Sequence, residues 1–201
     1  MTPQETPDRW SSPAVICPAP RRGRVHGIDP GLTSNVASVA EDLMMFHRVG
    51  GGQLGIAAHA LRVMHSHRQL TRSALEAGGI LLGQTIRRGH EVVIDVATAP
   101  GAGDRRTRRS FAQRRRTAQE MIEASWHASG GRRIYLGEWH THAQDDPAPS
   151  RLDRRTWQRI ATTANYLHGF LFFIIVGRVR IRVWETRTGG GLSQARLASP
   201  S

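Results

Sequence analysis

Two histidines and an aspartate lie at a spacing that could bind a metal ion. His140 and His142 are two residues apart, and Asp153 follows eleven residues after His142, with Ser150 three residues before it. Imidazole and carboxylate groups suit zinc, and three protein ligands leave a fourth position open for water or substrate. The residue types and their spacing therefore predict a catalytic zinc site with one ion per chain.

The residues before His142 favour an extended strand. Residues 132–137 read Arg-Arg-Ile-Tyr-Leu-Gly after a Gly-Gly turn signal, which is typical of a strand that begins there. Residues i and i+2 of a strand face the same side, with Cα atoms roughly 6.5 Å apart. His140 and His142 could therefore converge on one ion while Thr141 faces away. Glu138 shares their parity, which makes it a candidate general base or a residue that orients a ligand histidine.

Ser150 and Asp153 also have a purely structural interpretation. Ser-x-x-Asp ahead of Arg-Arg-Thr-Trp resembles the capping box that opens a helix. The two roles are compatible, because a helix N-terminus could hold the Asp153 carboxylate rigidly against a metal. The Ser150 hydroxyl is in addition a candidate hydrogen-bond donor to an oxyanion.

The complete pattern of His-x-His, seven residues and Ser-x-x-Asp resembles the JAMM signature of the MPN/JAB metalloprotease family. That family has an upstream acid in a Glu-x-Gly-Gly-x-Leu-x-Gly setting, and residues 76–83 read Glu-Ala-Gly-Gly-Ile-Leu-Leu-Gly. The resemblance extends over residues 53–185. Gly-Glu-Trp-His-Thr-His is most similar to the bacterial JAB branch, which includes isopeptidases of antiphage and ubiquitin-like conjugation systems. Ala143 replaces the proline usual after the second histidine, a change expected to alter loop stiffness but not the ligands.

The resemblance implies a role for each site residue. It implies that His140, His142 and Asp153 bind zinc, that Glu76 is the general base, and that Ser150 stabilises the oxyanion. The base would take a proton from the attacking water and later return it to the leaving amine. Without the resemblance, Glu76 would be interpreted as an ordinary surface acid ahead of a buried strand.

The implied activity is that of a zinc-dependent metallo(iso)peptidase of the JAMM type. Its substrate would be an amide or isopeptide bond at the C-terminus of a ubiquitin-like or similarly conjugated protein, and its partners would include enzymes of the conjugation pathway. One alternative is a peptidase that trims the C-terminus of a sulfur-carrier protein. Another is a non-catalytic MPN scaffold or an arginine-rich nucleic-acid binder, although such scaffolds usually lack part of the metal set.

Composition favours one domain in a reducing compartment. A chain of 201 residues and 22.3 kDa is long enough to bury one core. Cys17 is the only cysteine, so no internal disulfide can form. The sequence has no secretory signal pattern and no apolar run of membrane-spanning length. We therefore expect a cytoplasmic protein that does not insert into membranes.

Half of the net charge of +12 lies in one segment. Residues 104–116 contain seven arginines and one aspartate. Such a segment attracts phosphate or acidic protein surfaces, but it is equally typical of a solvated helix face. Nucleic-acid binding through the arginines from Arg105 to Arg116 is less favoured, because Phe111 is the only aromatic residue there to stack on bases.

The order of predicted elements indicates an α/β (α+β) fold with a mixed sheet flanked by helices, as in MPN/JAB domains. Residues 1–50 are interpreted as a disordered or over-long extension, with Met44 or Met45 as an alternative start, residues 51–186 as the domain, and residues 187–201 as a flexible tail. Strands are predicted at 53–57, 73–84, 90–97, 132–142, 170–176 and 179–185. Helices are predicted at 36–49, from 58 to about 69, 108–128 and 151–167.

Overall fold

The computed structural model describes residues 43–86, 90–163, 168–187, 191–194 and 196–197. Within these residues, nine strands form one mixed sheet and two short strands form a separate hairpin. The strands are β1 (Leu43–His47), β2 (Gln53–Ala57), β3 (Gly78–Ile86), β4 (Glu91–Ala97), β5 (Arg105–Arg106), β6 (Phe111–Ala112), β7 (Ile134–Thr141), β8 (Phe170–Val176), β9 (Ile181–Arg187), β10 (Leu192–Gln194) and β11 (Arg196–Leu197). The helices are α1 (Ala58–Ser66), α2 (Arg115–Ala128) and α3 (Arg151–Thr163). The predicted mixed sheet with packed helices is confirmed.

The sheet has the strand order β10-β9-β8-β7-β3-β4-β2-β1-β11. The pairs β2–β4 and β7–β8 are parallel, and the remaining pairs are antiparallel. Parallel neighbours require a crossover, which α3 provides between β7 and β8. The end of β7 therefore leads through a short loop to the start of α3, where the predicted metal ligands lie.

Strand β8 is buried on both faces and separates two hydrophobic cores. The even-numbered residues of 170–176 pack in a core with Ala60 and Met64 of α1. The odd-numbered residues pack in a second core with residues of α2 and α3. In that second core the indole of Trp157 stacks on the ring of Phe173, with ring centroids 4.8 Å apart. The apolar run at 170–176 is thus a central strand, as predicted.

A β-bulge in β7 changes which residues face each core. Leu81 of β3 pairs with Gly137, whereas Leu82 pairs with Tyr135, so Leu136 is an extra residue without its own partner in β3. One extra residue reverses the side-chain alternation of the strand beyond it. The side chains of β7 after the bulge therefore lie on the opposite face of the sheet from the one that uninterrupted alternation would give them.

Gly137 makes this bulge sterically feasible. Its φ is +137°, and a Cβ at this position would lie 1.8 Å from the carbonyl oxygen of Phe172. Leu136 before the bulge and Trp139 after it both pack in the core on the α1 side. His140, the next residue, consequently faces the side of the sheet on which α3 packs, and its ring lies 6.0 Å from that of Trp157.

The predicted helix at 36–49 is wrong where the structure describes it. Leu43–His47 forms strand β1, which pairs antiparallel with β2. Phe46 is buried in the α1-side core, so sheet pairing and burial outweigh a local helical pattern. The rest of the predicted extension, residues 1–42, lies outside the described residues. Strands β1 and β10 join the sheet from beyond the predicted domain limits of 51 and 186.

The predicted arginine-rich helix at 108–128 is wrong in its first two turns. Helix α2 begins at Arg115 with Arg114 as its N-cap, and the four arginines from Arg105 to Arg109 lie on the hairpin β5–β6. Thr107 and Ser110 close the hairpin, through a backbone bond of 2.9 Å and a contact of 2.7 Å between their hydroxyls. Turn chemistry at these two residues therefore overrides helix propensity.

Among the described residues, no helix is both long and apolar enough to span a membrane.

Candidate metal centre and active-site cleft

His140, His142 and Asp153 converge at the end of β7 and the start of α3. The Nε2 atoms of the two histidines are 3.1 Å apart. His140 Nε2 lies 3.4 Å from Asp153 Oδ1, and His142 Nε2 lies 3.3 Å from Asp153 Oδ2. The three side chains are mostly buried, with exposed fractions of 11–15%.

This triangle fits a tetrahedral zinc ion. Bonds of roughly 2.0–2.1 Å place the ligand atoms of such an ion roughly 3.3–3.4 Å apart. The histidine nitrogens are 3.1 Å apart, and each lies 3.3–3.4 Å from a different oxygen of the Asp153 carboxylate. With one ligand atom taken from each residue, the three atoms lie within 4.8 Å of one another, which is close enough for one ion to bind all three. Within the part of the chain that the structure describes, these three side chains form a group that could hold a metal ion.

The start of α3 fixes the position of Asp153. The backbone N–H of Ser150 donates to Asp153 Oδ2 at 2.6 Å, and the backbone N–H of Asp153 donates to Ser150 Oγ at 3.1 Å. This is a reciprocal capping box of the predicted kind. Because Ser150 Oγ accepts that bond, its own O–H can still donate to another oxygen. The capping and metal-binding interpretations of this motif are thus compatible in one geometry.

The loop after His142 is tied to the β8–β9 turn. The backbone N–H of His142 donates to the carbonyl oxygen of Val176 at 3.0 Å. Asp145 pairs with Arg178 at 2.7 Å, and the backbone N–H of Arg178 donates to Gln144 O at 2.7 Å. These contacts constrain the loop although Ala143 stands in place of the usual proline.

Glu76 lies in a loop immediately before β3, not within a strand as predicted. Thr141 holds the adjacent residue: its Oγ1 accepts a bond from Ala77 N at 3.0 Å, and its N–H donates to Ala77 O at 2.8 Å. Thr141 thus faces away from the ligand histidines, as expected from strand parity, and fixes the backbone next to the acid.

The arginine-rich hairpin holds the other side of Glu76. The backbone N–H of Glu76 donates to Thr107 O at 2.8 Å. Arg106 Nε donates to the carbonyl oxygen of Glu76 at 2.7 Å, and its Nη2 donates to Leu75 O at 3.3 Å. Both backbone polar groups of Glu76 are therefore bonded to β5 and the turn that follows it.

An open cleft connects these groups. It has a volume of about 230 Å³ and is lined by Glu76, Glu138, His140 and Asp153. Its walls also include the hairpin residue Phe111 and several residues of α3, namely Leu152, Thr156, Trp157 and Arg159. Glu138 Oε1 accepts a long hydrogen bond of 3.4 Å from the hydroxyl of Tyr135. The predicted base, the runner-up acid and two of the predicted ligands thus share one cavity.

Residues 57–187 match the family model described as prokaryotic homologs of the JAB domain. The chain belongs to this family. It is 38% identical over 147 residues to a CD-NTase/cGAS isopeptidase of Pseudomonas aeruginosa, covering 73% of this chain and 89% of that protein. It is 36% identical over 123 residues to a protein of the same name from Vibrio cholerae, covering 61% and 75%.

A solved structure supports the JAB-like fold. The solution structure of protein DSY2949 from Desulfitobacterium hafniense aligns with a TM-score of 0.51 at 17% identity. The alignment covers 71% of this chain and 90% of that one. At this identity the similarity concerns the fold alone. The resemblance to bacterial JAB domains predicted from the motifs is confirmed.

The electrostatics of this JAB domain separate the two carboxylates of the site. Burial raises the pKa of Glu76 to about 7, with the nearby Asp153 charge also raising it and His142 lowering it. Burial acts to raise the pKa of Asp153 too, but hydrogen bonds from His140 and His142 hold it well below its usual range. Near neutral pH, Asp153 is therefore a permanent anion, whereas Glu76 can gain or lose a proton.

The pKa of His142 is raised, whereas that of its partner Asp153 is lowered. Burial lowers the pKa of its ring, but the hydrogen bond to Asp153 and the charges of Asp153 and Glu76 raise it overall above the ordinary value. A cation that binds at this ring must therefore displace a proton over part of the neutral range.

Sequence reasoning missed the supporting residues Arg106 and Thr107. Their contacts with Glu76 join positions about thirty residues apart. The arginine run gave no signal that one of its members differs from the rest, since neither spacing nor periodicity distinguishes Arg106.

Proposed function

We propose that this JAB-family chain is a zinc-dependent isopeptidase. The observation that supports the proposal most directly is the convergence of His140, His142 and Asp153, whose ligand atoms lie within 4.8 Å of one another, beside the buried acid Glu76. The names of the two relatives, both isopeptidases, support hydrolysis of an isopeptide bond.

His140, His142 and Asp153 would hold one zinc ion per chain. Zinc held by three protein ligands lowers the pKa of a bound water to about 7 and polarises a carbonyl oxygen. The remaining steps fall to side chains of the cleft. Glu76 accepts the proton of the attacking water and passes it to the leaving amine.

The raised pKa supports Glu76 as this base. A proton carrier works best when its pKa lies near the operating pH, and that of Glu76 is about 7. Glu138 is the weaker candidate, because its Oε1 already accepts a bond from Tyr135. The hydroxyl of Ser150 donates a hydrogen bond to the oxyanion that forms on the attacked carbonyl.

The scissile bond in this proposal joins the C-terminus of a ubiquitin-like or similarly conjugated protein to an amine. The relatives are named for a CD-NTase, so a CD-NTase conjugate is the first substrate to test. We place the reaction in the cytoplasm, together with the enzymes of a conjugation pathway.

Metal content is the deciding experiment. Purified wild-type protein should carry about one zinc per chain, and His142→Ala should carry little. Zinc-loaded protein should then cleave a CD-NTase joined to a lysine side chain, and a linear fusion at the same C-terminus serves as the comparison. Failure to bind zinc after reconstitution would refute the proposal. Faster cleavage of the linear fusion would favour C-terminal processing instead.

A further inference from the structure

Both walls of the catalytic cleft are rich in arginine. One wall is formed by the hairpin, where Arg109 lines the cleft. The other is helix α3, where Arg159 lines it. Both residues are exposed. Of the arginine cluster at 104–116, the fold thus places Arg109 at the cleft, whereas Arg115 and Arg116 lie on helix α2.

The acids near these walls are already engaged. Asp104, the only acid of residues 104–116, accepts backbone bonds from Gly101 N at 2.7 Å and Arg114 N at 2.8 Å. Asp153, the only acid of α3, belongs to the ligand triangle. Both carboxylates therefore have roles of their own, Asp104 in the hairpin and Asp153 in the predicted ligand set.

The interior of the cleft carries three acids, Glu76, Glu138 and Asp153. A divalent cation on the triangle would offset two of these three negative charges. With Arg109 and Arg159 included, the loaded cleft has a positive balance. Charged groups at a partly enclosed site select ligands of the opposite sign.

The cleft also has apolar surface between the charges. Leu152 lines it and is 60% exposed, and the half-buried ring of Phe111 lines it from the hairpin. A peptide can use both features, because its acidic side chains can pair with arginines while a neighbouring apolar side chain covers Leu152. A polyanion such as single-stranded nucleic acid would need exposed aromatic faces on which its bases could stack. Of the described residues that line the cleft, the aromatic ones are half-buried or buried.

We propose that the tail cleaved by this protein is acidic: the conjugated protein carries Asp or Glu residues shortly before its C-terminus, and Arg109 and Arg159 bind them. This inference rests on the proposed function and defines the substrate class of the same cleft. The two arginines are specificity-determining residues that do not contact the scissile bond.

The test measures binding separately from cleavage. Zinc-loaded Glu76→Gln is titrated against three fluorescent peptides that share an apolar C-terminus and differ only upstream, with two Glu, two Gln or two Lys. Exposed charge pairs each contribute about two- to fivefold in affinity. The Glu peptide should therefore bind about tenfold more tightly than the Gln peptide at low salt, and the Lys peptide should bind least tightly. The difference should nearly vanish at roughly 1 M salt, where the Debye length is only about 3 Å.

Charge-reversal variants assign the effect to the two arginines. Adding Arg109→Glu and Arg159→Glu should abolish or reverse the preference for the Glu peptide. The matched control is Arg62→Glu, an exposed arginine on α1 that does not line the cleft, and it should leave the preference unchanged. Equal affinities for the three peptides, or a preference that survives both reversals, would overturn the inference.

Two further outcomes separate this inference from the proposed function. When each peptide is joined through its C-terminus to a lysine side chain, cleavage of all three conjugates at equal rates by the wild type would retain the isopeptidase and reject the acidic tail. A single-stranded oligonucleotide that binds more tightly than the Glu peptide, and is displaced by the same two reversals, would reject the peptide in favour of nucleic acid.

Discussion

Arg106 Nε donates to the backbone carbonyl oxygen of Glu76 at 2.7 Å, which links the arginine-rich hairpin to the residue proposed as the base. A backbone bond of 2.8 Å from Glu76 N to Thr107 O completes the link. The loop that carries Glu76 thus depends on the hairpin for its position as well as on strand β7.

Arg106→Ala should lower kcat without removing the metal. The variant loses the bonds to Glu76 O and Leu75 O, and misplacement of a reacting group by about 1 Å can cost up to roughly 10²-fold in rate. We expect a ten- to hundredfold lower kcat, a KM within about twofold, and unchanged zinc content. Steady-state kinetics with metal analysis would measure all three.

Two control variants test whether the loss in Arg106→Ala comes from the bond to Glu76. Arg106→Lys keeps one donor for Glu76 O and should recover part of the rate. Arg108→Ala removes an exposed arginine of the same hairpin and should leave kcat near the wild-type value. A parallel loss of zinc in Arg106→Ala would instead mean that the hairpin supports the whole site.

Glu76→Gln should separate catalysis from metal binding. General acid–base catalysis contributes typically about 10²–10⁴-fold, so cleavage should fall by that order while zinc remains bound. Glu138→Gln is the matched control, since Glu138 is the other acid of the cleft outside the predicted ligand set, and its loss should cost far less. A larger loss from Glu138→Gln would transfer the role of base to Glu138.

Zinc binding should release protons near neutral pH. In the metal-free protein the raised pKa of His142 keeps its ring partly protonated, and the ring must be neutral to bind zinc. Affinity should therefore rise with pH across the range just above the ordinary histidine pKa. Calorimetry in buffers of different ionisation enthalpy would count the protons. Glu76→Gln should release fewer, because a nearby cation also lowers the pKa of Glu76 from about 7.

Glu76→Gln should also make the metal-free protein more stable than the wild type at alkaline pH. The pKa of Glu76 is about 7 when folded and 4.5 in its ordinary state, so folding favours the protonated form. That stabilisation is complete below pH 4.5 and is lost as the pH rises through 7. Glu76→Gln lacks this loss. Urea denaturation should show a much larger gain of the variant over the wild type at pH 8 than at pH 5, where the loss has only begun.

The convergence of the predicted ligands could be expected from the sequence because it follows from local periodicity. Two residues of a strand at i and i+2 share a face, and His140 and His142 do converge. Ser150 and Asp153 form the capping box that their spacing predicted. Each of these arrangements depends on a few neighbouring residues, and neighbouring residues are what a single sequence shows.

The features that the sequence did not predict depend on contacts between distant segments. The bulge at Gly137 is defined by the register of β7 against β3. Strand β1 forms because the side chain of Phe46 packs in a core made of residues distant in the chain, such as Phe172. The hairpin at residues 105–112 replaces a helix because Thr107 and Ser110 close a turn over the Glu76 loop. No periodic pattern in the sequence encodes these pairings.

Gly137→Ala should test whether the bulge supports the site. A methyl group at Gly137 would meet Phe172 O at 1.8 Å with φ at +137°, so a loss of at least about 3 kcal/mol in unfolding free energy is expected. Gly130 is the matched control, because its φ is +62° and no atom lies within 4 Å of a Cβ there. Gly130→Ala should cost only about 1–2 kcal/mol of backbone strain. Equal costs in guanidinium denaturation, with zinc binding intact in both variants, would mean that β7 can turn Glu138 and His140 into the cleft without a glycine at the bulge.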